Sequence, residues 1–365
     1  MAAKRIRSIA VLTGGGDCPG LNAVIRAVTK TAINKHGIEV WGVQDGYLGL
    51  IKDRIALLSY NDVSNILTVG GTILGTSNVA NPFRFAHRKG DRVQYRDVSD
   101  QCVRNLEKHG VQALVCIGGD GTMAVAARLA KKGLTIMGVP KTIDNDLYGT
   151  DVTFGFDTAV TTATEAIDKV HTTASSHHRV MIVEVMGRYA GWIALHAGVA
   201  GGADVILIPE LPYELPKVCE YVLGRSKRGK QFSIVVVAEG AHEKQGQMVV
   251  RKRIASSPDP IRLGGVANKL AEDISAQTGL ECRAVILGHV QRGGTPTPYD
   301  RALATNFGHT AIELLIKGVK NHLVVLKGGR FASIGLSRVA DRIRTVPKRN
   351  ELVRAATAVG TSFGI

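Results

Sequence analysis

Six short β-branched runs recur along the chain: Ile9 to Thr13, Gln112 to Ile117, Thr135 to Val139, Val180 to Val185, Val205 to Ile208 and Ser233 to Ala238. Each is followed by a Gly, Pro or Asp turn and then by a helix-like segment. Continuously apolar strands that alternate with helices need cover on both faces, which is the pattern of a parallel sheet. The fold class is therefore α/β. In such sheets ligands sit beyond the carboxyl ends of the strands, and four of these runs lead straight into glycine-rich or acidic turns. At 365 residues the chain is long enough for two lobes built on mainly parallel sheets, with helices on both faces and a cleft between the lobes. Asp151 to His171 reads as a long helix carrying the chain from one lobe to the other. Gly224 to Lys230 and Arg251 to Pro260 read as exposed loops. The tail, Gly328 to Ile365, is mixed and basic, with no chemical signature.

Forty-six Lys and Arg against thirty-one Asp and Glu give a net charge of +15. Aromatics are only 5% of the chain, and the basic residues are spread along it rather than gathered in a stripe. A nucleic-acid surface of stacking rings and clustered cations is thus disfavoured, while a basic field suits anionic metabolites. The five cysteines (Cys18, Cys102, Cys116, Cys219, Cys282) include no Cys-x-x-Cys pair and read as buried thiols of a reducing compartment. Ile9 to Leu12 is too short for a signal core, and no apolar stretch approaches a membrane span, so a cytoplasmic protein is expected.

Three turns carry the chemistry. Thr13-Gly14-Gly15-Gly16-Asp17 through Asn22 joins the first strand to a helix from Asn22 to about Lys35. Glycines there let backbone N–H groups approach phosphate at a helix N-terminus. The segment matches neither the P-loop nor the dinucleotide fingerprint, and a plain tight turn would read the same. Gly118-Gly119-Asp120-Gly121-Thr122 and Pro140-Lys141-Thr142-Ile143-Asp144-Asn145-Asp146 follow the next two strands. Three close carboxylates are costly unless cations compensate them, which points to Mg²⁺ and a proton acceptor working on phosphate. Downstream, Met186-Gly187-Arg188, Glu239-Gly240 and the stretch from Arg283 to Arg292 again follow strands, with guanidinium groups suited to phosphate oxygens.

In this order and spacing, these motifs and Gly288-His289-Val290-Gln291-Arg292-Gly293-Gly294 resemble the phosphofructokinase family. The resemblance runs from Ile6 to about Gly329. It implies transfer of a phosphoryl group from ATP to the 1-hydroxyl of fructose 6-phosphate, as a step of glycolysis. It also implies that Asp144 is the base and Arg188 the cation on the moving group, with Thr142 bonding in the reacting region. Gly15, Gly119, Asp120, Gly121 and Thr122 would hold the donor, and Asp120 and Asp146 the Mg²⁺. The sugar phosphate would contact Thr142, Ile143, Asp144, Met186, Gly187, Arg188, Glu239, His289, Val290, Gln291 and Arg292. Arg179 and Arg283 would come from a neighbouring subunit, which makes the enzyme a homo-oligomer, dimer or tetramer, with shared sites. The expected division is a larger donor lobe (1–155 and about 262–320), a smaller sugar-phosphate lobe (156–261) and a segment across both (321–365).

Two positions bear on the donor. Gly121 matches ATP users of the family, whereas Lys141 matches pyrophosphate users. Gly121 is given more weight because an Asp there would crowd and repel the α-phosphate, so ATP is expected and pyrophosphate is the alternative. A remoter alternative is a non-catalytic regulatory or nucleic-acid-binding relative. In Gly71 to Asn78, many relatives place Arg where Asn78 stands, and Arg84 or Arg88 is a candidate substitute. Arg26 and Lys30 echo an allosteric effector site of the bacterial enzymes.

Overall fold

In a computed structural model, residues 6–89, 92–253 and 261–365 are described, and among them the chain forms fifteen strands and ten α-helices. The larger sheet begins with β1 (Ser8–Thr13), β2 (Glu39–Val43) and β3 (Ile55–Leu58). Its centre is β6 (Ala113–Gly118) and β7 (Ile136–Pro140), and β14 (His322–Lys327) and β15 (Arg330–Gly335) complete it. The strand order is β15-β14-β7-β6-β1-β2-β3, parallel except for the antiparallel edge strands β3 and β15. The smaller sheet, β13-β8-β10-β9, is all parallel: β8 (Val180–Val185), β9 (Val205–Leu207), β10 (Ser233–Ala238) and β13 (Cys282–Ile286). Two hairpins lie apart, β4 (Phe85–Lys89) with β5 (Arg92–Arg96), and β11 (Val250–Arg253) with β12 (Ile261–Leu263).

Every residue of β1, β6, β7, β8 and β10 is buried, as the unbroken apolar runs require of strands covered on both faces. Alternate side chains feed different cores. Ala10, Leu12, Leu114 and Cys116 pack with α2 (Tyr47–Lys52), α3 (Ser99–Lys108) and α4 (Asp120–Ala130). Ile9, Val11, Val115 and Ile117 face the other way, toward α1 (Leu21–His36) and α9 (Pro298–Ile316). That second cluster continues through α5 (Phe156–His177) and α6 (Trp192–Ala200) to Val183, Val185 and Ile206 of the smaller sheet. The two lobes therefore share one continuous apolar core. On its far face the smaller sheet packs α7 (Leu215–Lys227) and α8 (Val266–Thr278).

The lobe-crossing helix starts later than its Thr- and Ala-rich sequence suggests and runs further, Phe156 to His177. Gly155, at φ 92°, holds a left-handed turn that stops helix on its N-terminal side. No side chain of its own caps α5, and the buried Asp300 of α9 does so instead, accepting from the N–H of Gly155 and the N–H and hydroxyl of Thr158. Burial pushes the Asp300 carboxyl up to about 6.

The expected lobe boundaries need correction in two places. β13 and α8 lie in the smaller lobe, because β13 takes the free edge of β8. Residues 322–335 complete the larger sheet beside β7 rather than spanning the lobes. Past β15 the tail does pack across the lobes: Ile343 bridges Leu147 of the larger one, while α10 (Glu351–Ala358) packs on α6 and Ser362 bridges Val205 in the smaller one. Of the two expected loops, Gly224 to Lys230 begins inside α7, and 254–260 lies outside the described residues. Among the described residues, no helix is long and apolar enough to cross a membrane.

Candidate active site

The three turns sit side by side because β1, β6 and β7 are adjacent and parallel, so their carboxyl ends share one edge. The close approach is tight. A Cβ at Gly14 would lie 2.7 Å from the Thr122 hydroxyl oxygen, and one at Gly118 would lie 2.3 Å from Thr122 Cβ. Thr122 is itself buried, its carbonyl taking the Tyr47 hydroxyl at 2.9 Å. Gly119 precedes α4, which places Asp120 in that helix's first turn, where the positive end of the helix dipole favours a carboxylate. A Cβ built on Gly121 meets nothing within 4 Å.

The Lys141-to-Asp146 turn is held internally. The Thr142 hydroxyl accepts the Asp144 N–H at 3.0 Å, and its carbonyl accepts the Thr153 hydroxyl at 2.7 Å. Asn145 adopts φ 52°, a left-handed backbone uncommon outside glycine, and its side-chain oxygen takes the Thr153 N–H at 3.1 Å. This puts Asp144 and Asp146 on either side of a constrained residue, both buried. Asp144 Oδ1 has no hydrogen-bond partner. Burial raises the Asp144 carboxyl above its ordinary range, with Arg188, Arg292 and Lys141 pulling it down and Asp120 pushing it up. Asp146 is pushed up to about 8, by burial and then by repulsion from Asp144 and Asp120. A buried carboxylate pushed up by two neighbouring carboxylates, as Asp146 is, fits a cation-binding role. Among the described residues, no three His, Cys, Asp or Glu side chains are arranged as a complete metal cage. That donor set suits Mg²⁺, which takes one or two carboxylates and completes its shell with substrate phosphates and water.

From the smaller sheet, β8 delivers Met186, Gly187 and Arg188, and β10 delivers Glu239 and Gly240. Gly187 (φ 142°) and Arg188 (φ 51°) turn the chain back, and Gly240 lies so close beneath that a Cβ there would be 2.0 Å from the Arg188 carbonyl oxygen. The Arg188 N–H donates to Glu239 Oε1 at 3.0 Å, and its guanidinium reaches Asp120 at 3.4 Å across the cleft. Burial, then repulsion from Asp144, pushes Glu239 up to about 7. Gln291 is fully buried and binds the Met186 N–H at 3.4 Å and the Gly288 carbonyl at 3.0 Å, fixing the Gly288–Arg292 turn to the Met186 turn.

Several positions differ from expectation. The Gly15 N–H donates to the Ser77 carbonyl at 3.3 Å, so it is engaged by the Gly71-to-Asn78 segment rather than free for phosphate. Thr76 reinforces that cover by donating to the Gly15 carbonyl at 2.6 Å. The Ile143 side chain belongs to the apolar core, Val290 is 62% exposed and the Gln291 side chain is a tie, so a contact from these three to a sugar would use the main chain. Arg292 approaches the first turn, where a Cβ at Gly16 would lie 2.5 Å from its Nη1, while His289 is exposed. The buried Lys141 ammonium donates to the Gly16 carbonyl, and burial lowers its pKa. Asn78 is exposed, and Arg84 stacks on Tyr95 of the β4–β5 hairpin at 4.4 Å; the Arg88 side chain lies outside the described residues. Lys30 is spent on Tyr60 and Ser64.

Arg179 and Arg283 stand at the amino ends of β8 and β13, whereas Met186 and the Gly288–Arg292 turn stand at the carboxyl ends. A six-residue strand puts the two ends roughly 20 Å apart. Both arginines pair with Glu281 there, at 2.9 and 2.6 Å. Within one chain they do not reach the carboxylate cluster. Arg344, from the tail that bore no signature, does touch the acidic turn: its guanidinium donates to the Asn145 carbonyl at 3.0 Å.

The family model described as phosphofructokinase matches residues 8–315. An "ATP-dependent 6-phosphofructokinase 2" from Clostridium perfringens is 53% identical over 98% of both chains. A "pyrophosphate--fructose 6-phosphate 1-phosphotransferase" from Amycolatopsis methanolica is 49% identical over 93% of this chain and 96% of its own. The solved phosphofructokinase of Saccharomyces cerevisiae superposes with a TM-score of 0.76 at 33% identity; the match covers 91% of this chain but only 45% of the yeast chain. With the glycine turns, the acidic turn and the Arg188–Glu239 pair all within the matched span, this chain belongs to the phosphofructokinase family.

Proposed function

We propose that this chain transfers the terminal phosphoryl group of ATP to the 1-hydroxyl of fructose 6-phosphate, giving fructose 1,6-bisphosphate and ADP. The observation that carries the reading is the meeting of Asp120, Asp144 and Asp146 from the larger lobe with Arg188 from the smaller one, across a single cleft. A donor bound along the glycine turns and a sugar bound beyond β8 and β10 would meet at that point.

Asp144 is the base. Its unpartnered oxygen faces no competing donor, and burial makes it a stronger proton acceptor than an ordinary carboxylate. Arg188, Arg292 and Lys141 offset that burial and help keep the carboxylate ionised. The sugar hydroxyl, oriented by Asp144, attacks the terminal phosphorus and passes its proton to the carboxylate as the bond to the leaving diphosphate breaks. Arg188, already aimed across the cleft, balances charge on the transferred group. Asp120 and Asp146 would hold Mg²⁺, which supplies positive charge to the donor phosphates when bound. Glu239 accepts a sugar hydroxyl, and His289 and Arg292 attract the 6-phosphate. Arg179 and Arg283, out of reach in their own chain, serve the site of a neighbouring subunit in a homo-oligomer. Free space around Gly121 leaves room for the nucleotide, where an Asp would crowd and repel its α-phosphate. The protein acts in the cytoplasm.

The test measures fructose 1,6-bisphosphate formed from fructose 6-phosphate and Mg²⁺, with ATP and pyrophosphate in parallel. Activity with ATP that falls at least about 1,000-fold in Asp144→Asn supports the reading. Turnover with pyrophosphate alone would reverse the donor assignment, and none with either would reject the reaction.

A further inference from the structure

The segment carrying Arg344 is stitched to both halves of the cleft. On the larger-lobe side, Ile343 bridges Leu147, the Arg344 N–H donates to the Asp146 carbonyl at 2.6 Å, and its Nη1 donates to the Asn145 carbonyl at 3.0 Å. On the smaller-lobe side, the Arg344 guanidinium lies 4.0 Å from the Trp192 ring centroid, and its carbonyl accepts the indole N–H at 3.1 Å. Two residues on, the Val346 N–H donates to Glu210 Oε1 at 2.7 Å, and the same carboxylate accepts the Gly191 N–H at 3.1 Å. Gly191 and Trp192 close the turn that begins at Met186 and carries Arg188.

We propose that Arg344 is a positioning residue for phosphoryl transfer, a strut that sets the Asp144–Asn145–Asp146 turn and locks it to the Arg188 turn of the opposite lobe. The proposal rests on the reaction assigned above. Asn145 holds a strained left-handed backbone, and such a conformation persists only when its surroundings over-determine it. Thr153 supplies the side-chain half of that constraint and Arg344 the carbonyl half. Releasing one carbonyl lets the peptide between Asn145 and Asp146 rotate, which moves both flanking carboxylates. The base and the cation come from different lobes, so their separation depends on whatever spans the lobes beside them, and this segment does. Lysine at 344 would keep the charge and lose the planar fork that stacks on Trp192 while donating sideways to Asn145.

Chains carrying Arg344→Lys and Arg344→Ala are compared with the parent. Expected is a kcat lowered about 10- to 100-fold with KM for both substrates within about threefold, since the loss is of alignment rather than of ligand contacts. Added guanidinium should restore at least threefold of the lost kcat in Arg344→Ala and leave the parent unchanged. The chain has two tryptophans, so in a Trp41→Phe background Trp192 alone reports. MgATP should change its emission, and Arg344→Lys should abolish that change while calorimetry shows donor affinity within about threefold. If Arg344→Ala does not fold, Arg344→Lys still decides. Unchanged kcat and an intact Trp192 response in Arg344→Lys would overturn the proposal. So would a rise in KM alone, or a loss of activity that only tracks the folded fraction. A parent chain with no kinase activity would reject the assigned reaction instead, with the Trp192 response still reading the strut.

Discussion

Asp146 offers a direct test of how the acidic turn is built, because its burial costs stability that only a cation or a proton returns. Its carboxyl stands at about 8 against an ordinary 3.8. A raised carboxyl pKa stabilises the folded chain fully below the unfolded value, and that stability is lost as pH rises from about 4 through about 8. Between pH 5 and pH 8 the loss comes to about 4 kcal/mol if the whole shift belongs to Asp146, and about 1 if half of it is repulsion shared with Asp144. Asp146→Asn removes this term. For 365 residues, about 1–4 kcal/mol corresponds to about 1–5 °C in the unfolding midpoint. Thermal unfolding in chelator at the two pH values, parent beside variant, should therefore show a gap that widens by that amount toward pH 8, with the variant the more stable. Mg²⁺ should then raise the parent and close the gap, and the variant should be inactive as a kinase. A gap that stays constant from pH 5 to pH 8, or a variant less stable than the parent at pH 8, would refute the reasoning.

Gly240→Ala should destabilise the chain by about 1–3 kcal/mol and lower kcat, because the new methyl would sit 2.0 Å from the Arg188 carbonyl; chemical denaturation and steady-state kinetics check both. Gly121→Asp should fold normally, since its side chain enters open space, yet use ATP at least about tenfold less well through repulsion of the nucleotide phosphates; donor-dependent rates read this out. If sites are shared between subunits, mixing unfolded Arg283→Ala and Asp144→Asn chains and refolding them together should regenerate up to about a quarter of the parent sites. No recovery from two separately inactive chains would refute the shared site, and an Arg283→Ala chain fully active by itself would place Arg283 outside the site of any subunit.

Six strands were legible in the sequence to within a residue or two at either end, for a simple reason. β1, β6, β7, β8 and β10 are buried on both faces and so must be written as unbroken apolar runs. β13 and β15 were not, since Arg283 and Ile286, or Arg330 and Ala332, mix exposed and half-buried positions at sheet edges. Lobe membership followed the same line: that β13 joins β8 is decided by which strand edge is open after folding, a property no local pattern holds.

The turn chemistry was local as well. Gly14 to Asp17, Gly118 to Thr122 and Lys141 to Asp146 announce themselves because backbone approach demands glycine and charge demands Asp at fixed offsets from a strand end. Contacts made at long range stayed invisible. That Gly15 gives its N–H to Ser77, that Asp300 caps α5, and that Arg344 braces Asn145 from some two hundred positions away all depend on segments brought together only by the shared core. Burial is likewise collective. The sequence by itself determined which glycines, carboxylates and cations stand at which strand ends; the tertiary structure decided how far those carboxylates are driven from ordinary pKa values and which distant side chains hold them, because desolvation and long-range packing exist only once both lobes have closed on one core.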